Sequence, residues 1–179
     1  MMLSWMFALL ALAAVGLLLR SVRGQGAAVN SLEDLEGQTQ PVDLAAFRNL
    51  MDPSEREFLR ARVSAADFRR LERQRLRAAR IYVQRAAHNA AVLVRLGEAA
   101  QASADREVAS AAKELVNSAL RLRLYTLLAE FQILVRMALP ATQLHGAGIL
   151  EDYQVLVERV TRLSRLQHPA YTARVAAVL

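Results

Sequence analysis

Between Pro53 and Pro140 the sequence contains a single glycine, Gly97, and no further proline. Gly and Pro are the residues that most often interrupt regular structure, so a stretch of this length with one of them is typical of long helices. The whole chain of 179 residues has only 7 Gly and 4 Pro, which argues against a turn-rich all-β fold. We therefore predict an all-α fold built around an antiparallel helical hairpin of residues 65–96 and 106–139.

Capping signals predict where the helices begin. Asp43, Asp52 and Ser64 each precede a segment with apolar residues at helical spacing, and Pro53 occupies a favourable first position. The first long helix is expected to end at the glycine after residue 96. A last helix is expected over about residues 149–166.

The composition changes along the chain predict four parts. Residues 1–19 form an apolar segment, and residues 20–41, with several Gly and polar residues, read as a flexible linker. Residues 42–168 are expected to form the helical bundle, and residues 169–179 a terminal helix or tail. One domain after the linker agrees with the length of the chain.

The apolar segment at the N-terminus predicts a single transmembrane anchor. Residues 3–19 carry no charge and, as a helix, rise roughly 25 Å, near the lower limit for a bilayer core of about 30 Å. A cleaved signal peptide or a buried helix is the competing interpretation, but no basic side chain precedes the run. Arg20 and Arg23 follow it, so the positive-inside rule predicts an external N-terminus and a cytoplasmic bundle at the inner (plasma) membrane of a bacterial-type cell.

The first long helix has a basic face, which we call the Arg face. At about 100° per residue, five arginines project from one side of the helix: Arg69, Arg70, Arg73, Arg77 and Arg80. Residues 53–96 contain eleven arginines and four acidic residues, whereas residues 97–158 are net acidic. The Arg face is the only candidate binding site that the sequence offers.

Several interpretations of the Arg face remain open. The first interpretation is a solvated face enriched in Arg by coding bias, since Lys113 is the only lysine among 23 basic residues. The second is contact with anionic lipid headgroups, to which the anchor holds the face close. The third is nucleic-acid binding, which is disfavoured because no aromatic residues interleave with the arginines, and the fourth is an acidic protein partner.

The second long helix is apolar nearly all round over residues 115–139, which predicts a buried central helix. A second membrane segment or a self-association surface is the alternative. We expect Leu93 and Phe131 to lie in the shared core of the hairpin. Arg123 and Glu130 are expected to find partners on neighbouring helices, and Arg75 is expected to pair with Glu72, three residues away.

No known catalytic pattern is present. The chain has no Cys, and His88, His145 and His168 have no metal-ligand spacing. The sequence therefore predicts a non-enzymatic protein without metal or cofactor, acting as a membrane-anchored interaction or scaffold protein at the cytoplasmic membrane face. The expected partners are the lipid bilayer, anionic headgroups, and a protein partner or a second copy. The alternative is a membrane-proximal nucleic-acid-binding protein that uses the Arg face.

Overall fold

The predicted all-α bundle is confirmed. A computed structural model describes residue 35, residues 37–138 and residues 147–167, and this part of the chain is 87% helical without strands. Its five helices are α1 (Leu44–Met51), α2 (Pro53–Arg62), α3 (Ala65–Ala100), α4 (Arg106–Ala138) and α5 (Ala147–Gln167). The predicted anchor at residues 1–19, the linker up to residue 34 and the tail at residues 169–179 lie outside the described residues.

The helices begin where the capping signals predict. The side chain of Asp43 accepts the N–H of Ala46 at 2.9 Å, and that of Asp52 accepts the N–H of Ser54 at 2.9 Å. Ser64 Oγ accepts the N–H of Asp67 at 3.2 Å. Each cap satisfies a backbone donor that the first turn of a helix leaves without a partner.

Helices α3 and α4 form the antiparallel hairpin and share the most extensive contact in the bundle. Glu72 near the start of α3 bonds Arg136 near the end of α4. Further along α3, Arg80 pairs with Glu130, which precedes Arg136 on α4, so the two helices run antiparallel. At the opposite end Gly97 lies against Val116. The predicted end of α3 at Gly97 is wrong, because the helix continues to Ala100 and uses the glycine for close packing.

Helix α5 packs antiparallel against α4. Arg121 bonds Asp152 at one end of the contact, with Nε and Oδ1 3.0 Å apart, and Arg159 bonds Glu114 towards the other. Leu156, Val160 and Leu163 are buried in this interface.

A buried asparagine ties three parts of the bundle together. Asn89 on α3 is fully buried, and its amide exchanges two hydrogen bonds with the backbone of Gln40, at 2.7 and 2.8 Å. The same amide nitrogen donates to the hydroxyl of buried Tyr153 on α5 at 2.7 Å. Residues 37–41, which the sequence places in the linker, therefore lie against α3.

Helix α4 is the central helix of the described bundle, as predicted, but it is not buried on all sides. Helices α3 and α5 cover two sides of α4, while its third side contacts no described helix and carries several exposed apolar residues. Leu93 lies in the core as predicted, with 0% exposure, but Phe131 is 65% exposed. An all-round apolar pattern cannot indicate which side of a helix its neighbours cover.

Among the helices that the structure describes, none has both the length and the apolar character that crossing a membrane requires.

The two predicted core residues should differ in their contribution to stability. Leu93→Ala should lower the free energy of unfolding by about 2–5 kcal/mol, because it leaves a cavity in a close-packed interface. Phe131→Ala should change it by less than about 0.5 kcal/mol, because most of the ring is already in contact with solvent. Thermal unfolding of the full chain in neutral detergent, followed by circular dichroism, measures both. Equal losses would contradict the exposed position of Phe131.

Gly97 should not tolerate a methyl group. A Cβ at this position would lie 2.6 Å from Val116 Cγ2 and 3.2 Å from the carbonyl oxygen of Ala112. Gly97→Ala should therefore destabilise the protein by about 1 kcal/mol, since an overpacking cost of about 1–3 kcal/mol exceeds the gain in helix propensity of about 1 kcal/mol. In a Val116→Ala background the same change should be nearly neutral, and an equal loss in both backgrounds would contradict the contact.

Candidate functional site

The Arg face lies on α3 as predicted, but its five members differ. Arg69, Arg70, Arg73 and Arg77 are exposed, and none forms an ion pair with another residue that the structure describes. Arg80 is half-buried, and its Nε lies 3.0 Å from Glu130 Oε1. Arg80 therefore belongs to the contact between α3 and α4, and four arginines remain available for an external anion.

Exposed apolar residues recur along the uncovered side of α4, every three or four positions. We call them the α4 outer face: Leu120, Leu124, Leu128, Phe131 and Leu134. Leu124 is 53% exposed and Leu128 is 50% exposed. Scattered apolar residues are normal on protein surfaces, but a continuous apolar row along one helix indicates a contact surface.

The Arg face and the α4 outer face lie on the same side of the hairpin. Arg69 and Arg73 line a small cavity together with Met137 of α4, so the basic row runs beside that helix. The Arg80–Glu130 pair continues the same boundary, and exposed Ile81 adds an apolar residue on the α3 side. The helical periodicity of α3 and α4 turns both faces away from α5. The result is one surface with an apolar row and a basic border.

A second charged cluster is buried between α2, α3 and α4. Glu72 is 8% exposed, and its Oε1 accepts hydrogen bonds from Arg56 Nε at 3.0 Å and from Arg136 Nη2. The predicted pairing of Glu72 with Arg75 is wrong. Arg75 pairs instead with Glu55 at 3.0 Å and also donates to backbone carbonyls of α1, because it points from α3 towards α1 and α2.

Burial dominates the electrostatics of this cluster. Desolvation lowers the pKa of Arg136 below its ordinary value, the carboxylate of Glu72 opposes that effect, and the charges of Arg56 and Arg75 add to it. The Nε of Arg136 is buried without an acceptor among the described residues. The group borders a cavity of about 310 Å³ between α1, α2, α3 and α4.

The other charged residues singled out in the sequence have structural surroundings. Glu130 pairs with Arg80 of α3, as expected of a residue facing a neighbouring helix. Arg123 is buried, and desolvation lowers its pKa, with a further contribution from the charge of Arg95.

Histidine and carboxylate side chains do not converge in the described part of the chain. His88 Nε2 lies 2.8 Å from the backbone oxygen of Gln38, and no group of three His, Asp or Glu residues there has the geometry to hold a metal ion. His145 and His168 lie outside the described residues.

Comparison with protein-family models, with curated proteins and with solved structures found no match for this chain. A fold class by itself does not specify a function, so the arrangement of side chains is the basis for a functional inference.

The sequence indicated the Arg face, offered a self-association surface on residues 115–139 only as an alternative to burial, and did not indicate the Glu72 cluster. The α4 outer face was concealed because apolar residues cover both the buried and the exposed sides of α4. The Glu72 cluster depends on Arg56 and Arg136, which lie 16 and 64 residues from Glu72 and which no local spacing connects.

Glu72 should be the most sensitive acidic residue of the bundle. Glu72→Gln should lower the free energy of unfolding by about 3–5 kcal/mol, because it leaves Arg56 and Arg136 without their shared counter-charge in a buried place. The matched control is Glu114→Gln, which removes a carboxylate that pairs with Arg159 and Arg162 at a partly exposed position. The control should cost less than about 1 kcal/mol. Chemical denaturation of both variants measures the difference, and similar losses would contradict the assignment.

Proposed function

We propose that the chain is a non-enzymatic, membrane-tethered helical interaction module whose α4 outer face and Arg face rest on an anionic lipid surface. The observation that carries this proposal is the exposed row of Leu and Phe on α4 beside four arginines without counter-charges in the described structure. Apolar residues bordered by Arg are typical of helices that lie in a membrane interface.

The sequence of the N-terminus supports the tether. Residues 3–19 are uncharged and are followed by Arg20 and Arg23, which is the pattern of a single membrane anchor with its following domain in the cytoplasm. Because Leu35 and residues 37–41 pack on the bundle, about fifteen residues separate it from the anchor, and a flexible linker of that length has a mean reach of roughly 21 Å. The bundle therefore stays near the bilayer. The anchor thereby raises the local lipid concentration that weak surface contacts require.

Charge complementarity favours a lipid surface over a second copy of the chain. A symmetric dimer through this surface places the same patch on both subunits, and a parallel arrangement of the two α4 helices brings the Arg face close to its own copy. Like charges across an interface oppose association. An anionic leaflet instead attracts each arginine near its surface by about 1 kcal/mol, and it accepts Leu128 and Phe131 at the boundary with the acyl chains.

The alternative function is nucleic-acid binding by the exposed arginines of α3. Arg69, Arg70, Arg73 and Arg77 are spaced along one helix and are free to contact phosphates. The apolar row beside them has no role in such a contact, because charged and polar groups, not apolar side chains, contact phosphates. The lipid surface therefore accounts for more of what the structure displays.

A single introduced cysteine provides a direct test, since the chain contains none. We expect an environment-sensitive dye on Leu128→Cys, in the full chain in nanodiscs with phosphatidylglycerol, to be quenched by a lipid-borne quencher. A dye on Gln154→Cys, at an exposed position of α5, should stay accessible to a water-soluble quencher. Equal accessibility of both dyes in anionic discs would refute lipid contact by α4.

Arginine variants separate the charge contribution from the apolar one. Changing Arg69, Arg73 and Arg77 to Gln should reduce lipid quenching at position 128 at least threefold. Each substitution removes about 1 kcal/mol of attraction between an arginine and the anionic lipid surface. The matched control changes Arg48, Arg106 and Arg165 to Gln, which removes the same charge from exposed positions outside the Arg face. At 1 M salt the Debye length falls to about 3 Å, and the difference should shrink.

The same labelled protein distinguishes the other occupants of this surface. Protection that depends on protein concentration in neutral discs would indicate a second copy. Protection by mixed-sequence DNA or RNA that weakens steeply with salt would support the alternative function.

A further inference from the structure

The cavity beside Glu72 has the features of a site for a small anion. It measures about 310 Å³, which falls at the lower end of the range for small-molecule pockets. Its walls combine apolar residues of α1 and α3, including Leu76, with the side chains of four arginines. The four are Arg56, Arg60, Arg75 and Arg136.

The buried part of this cavity has more positive than negative charge. Arg56 and Arg136 share a single buried carboxylate, Glu72, which therefore compensates only one of them. Arg60 lies at the rim and pairs with no carboxylate among the described residues, while Arg75 has its own partner in Glu55. The buried end therefore has a surplus of one positive charge, and a phosphate group, whose monoester carries a charge of about −1.5 to −2, can compensate it.

The acidic residues at the rim do not cancel this surplus. Asp52 and Glu57 also border the cavity, but they are exposed at the rim like Arg60, where water and salt screen charges of both signs. The carboxylate of Asp52 is already engaged with the N–H of Ser54 at the start of α2.

A second observation points to a missing acceptor. Arg136 is 7% exposed, and its Nε has no acceptor in the described structure although its Nη2 bonds Glu72. A buried donor without an acceptor is costly, and a guanidinium can bind an oxyanion through two parallel hydrogen bonds. The side chain with the open donor thus stands at the wall of the cavity with the surplus charge.

We infer that the cavity between α1, α2, α3 and α4 binds a phosphate group, held by Arg136 and Arg56 at its buried end and by Arg60 at its rim. The bound phosphate supplies the counter-charge that Glu72 alone does not provide. Soluble phosphate monoesters and the headgroup of phosphatidic acid both carry this chemistry. The site is separate from the Arg face, whose exposed residues Arg70 and Arg77 do not line this cavity.

Inorganic phosphate is the probe for the first experiment. The melting temperature of the full chain in neutral nanodiscs is measured against phosphate concentration, with chloride keeping the ionic strength constant. We expect the melting temperature to stay constant at low phosphate and to rise with the logarithm of the concentration above the dissociation constant, since the ligand binds only the folded state. No rise with phosphate, or an equal effect of chloride, would overturn the inference.

Variants locate the binding site. Arg136→Lys should raise the dissociation constant, read from the phosphate concentration at which the melting temperature begins to rise, at least about tenfold, because Lys cannot reproduce the bidentate geometry. Arg60→Gln, at an exposed position where folding is not at risk, should raise it severalfold. Arg106→Gln removes the same charge from the opposite end of the hairpin and should leave it unchanged. Equal affinity in wild type and in Arg60→Gln would overturn the inference even if Arg136→Lys fails to fold.

Two further arms distinguish the source of the phosphate group. Glycerol phosphate in solution and phosphatidic acid in the discs are compared in the wild type and in Arg60→Gln. A difference between the two proteins with glycerol phosphate supports a soluble ligand, and a difference confined to phosphatidic acid supports a lipid headgroup. No difference in either arm contradicts the site. The dye at position 128 reports independently on lipid contact by α4, so failure of one proposal leaves the other measurable.

Discussion

The backbones of α3 and α4 approach each other closely at Gly97, the position where α3 has no side chain. Gly97 faces Val116 and the carbonyl of Ala112, and Ala90 and Ala119 are fully buried in the same interface. Small residues let two helices come close, and close helices bury the larger Leu and Val residues around them efficiently. This approach fixes which sides of both helices face inward, and thereby which sides remain for other contacts.

The consequences differ for the two helices. On α3 the side left outside is polar, so the Arg face is an ordinary amphipathic arrangement. On α4 the side left outside is as apolar as the side facing inward, because only α3 and α5 cover the helix in the described structure. An exposed apolar row is unfavourable in water, since each such half-exposed residue forgoes roughly half of the about 1.5–3 kcal/mol that full burial contributes. A protein retains such a row most readily where another surface covers it.

Local signals in the sequence predicted the local structure. Asp43, Asp52 and Ser64 act on backbone groups two or three residues away, so their position indicates the helix starts. The prediction of a helix end at Gly97 is wrong because glycine is typical both of C-caps and of close backbone contacts. Only the partner helix distinguishes these two roles, and Val116 on that helix is 19 residues away in the sequence.

Tertiary contacts determine the partners of Glu72 and the exposure of Phe131, which local sequence patterns do not predict. The pairing of Arg75 with Glu72 follows the helical rule for neighbours three apart, which applies to exposed positions. At this buried position the carboxylate instead pairs with Arg136, the least exposed of these arginines, and with Arg56 of α2. Arg75 is also largely buried, but it points towards α1 and α2 and pairs there with Glu55. The burial predicted for Phe131 is wrong for a related reason, since its hydrophobicity indicates that a surface covers it but not which surface.

The chain thus uses arginine in two ways that follow from different physics. The exposed arginines of α3 interact with distant charges through water, so their effect is long-ranged, additive and sensitive to salt. The arginines around Glu72 act in a medium of lower permittivity, where a single missing counter-charge outweighs several exposed ones and salt has little influence. One face therefore suits a broad, repetitive anionic surface, and the buried cluster suits one compact anion of fixed geometry. Arg136 lies between the exposed face and the buried cluster, with Arg69 and Arg73 on one side and the cavity on the other. Both kinds of contact therefore belong to a single helical hairpin.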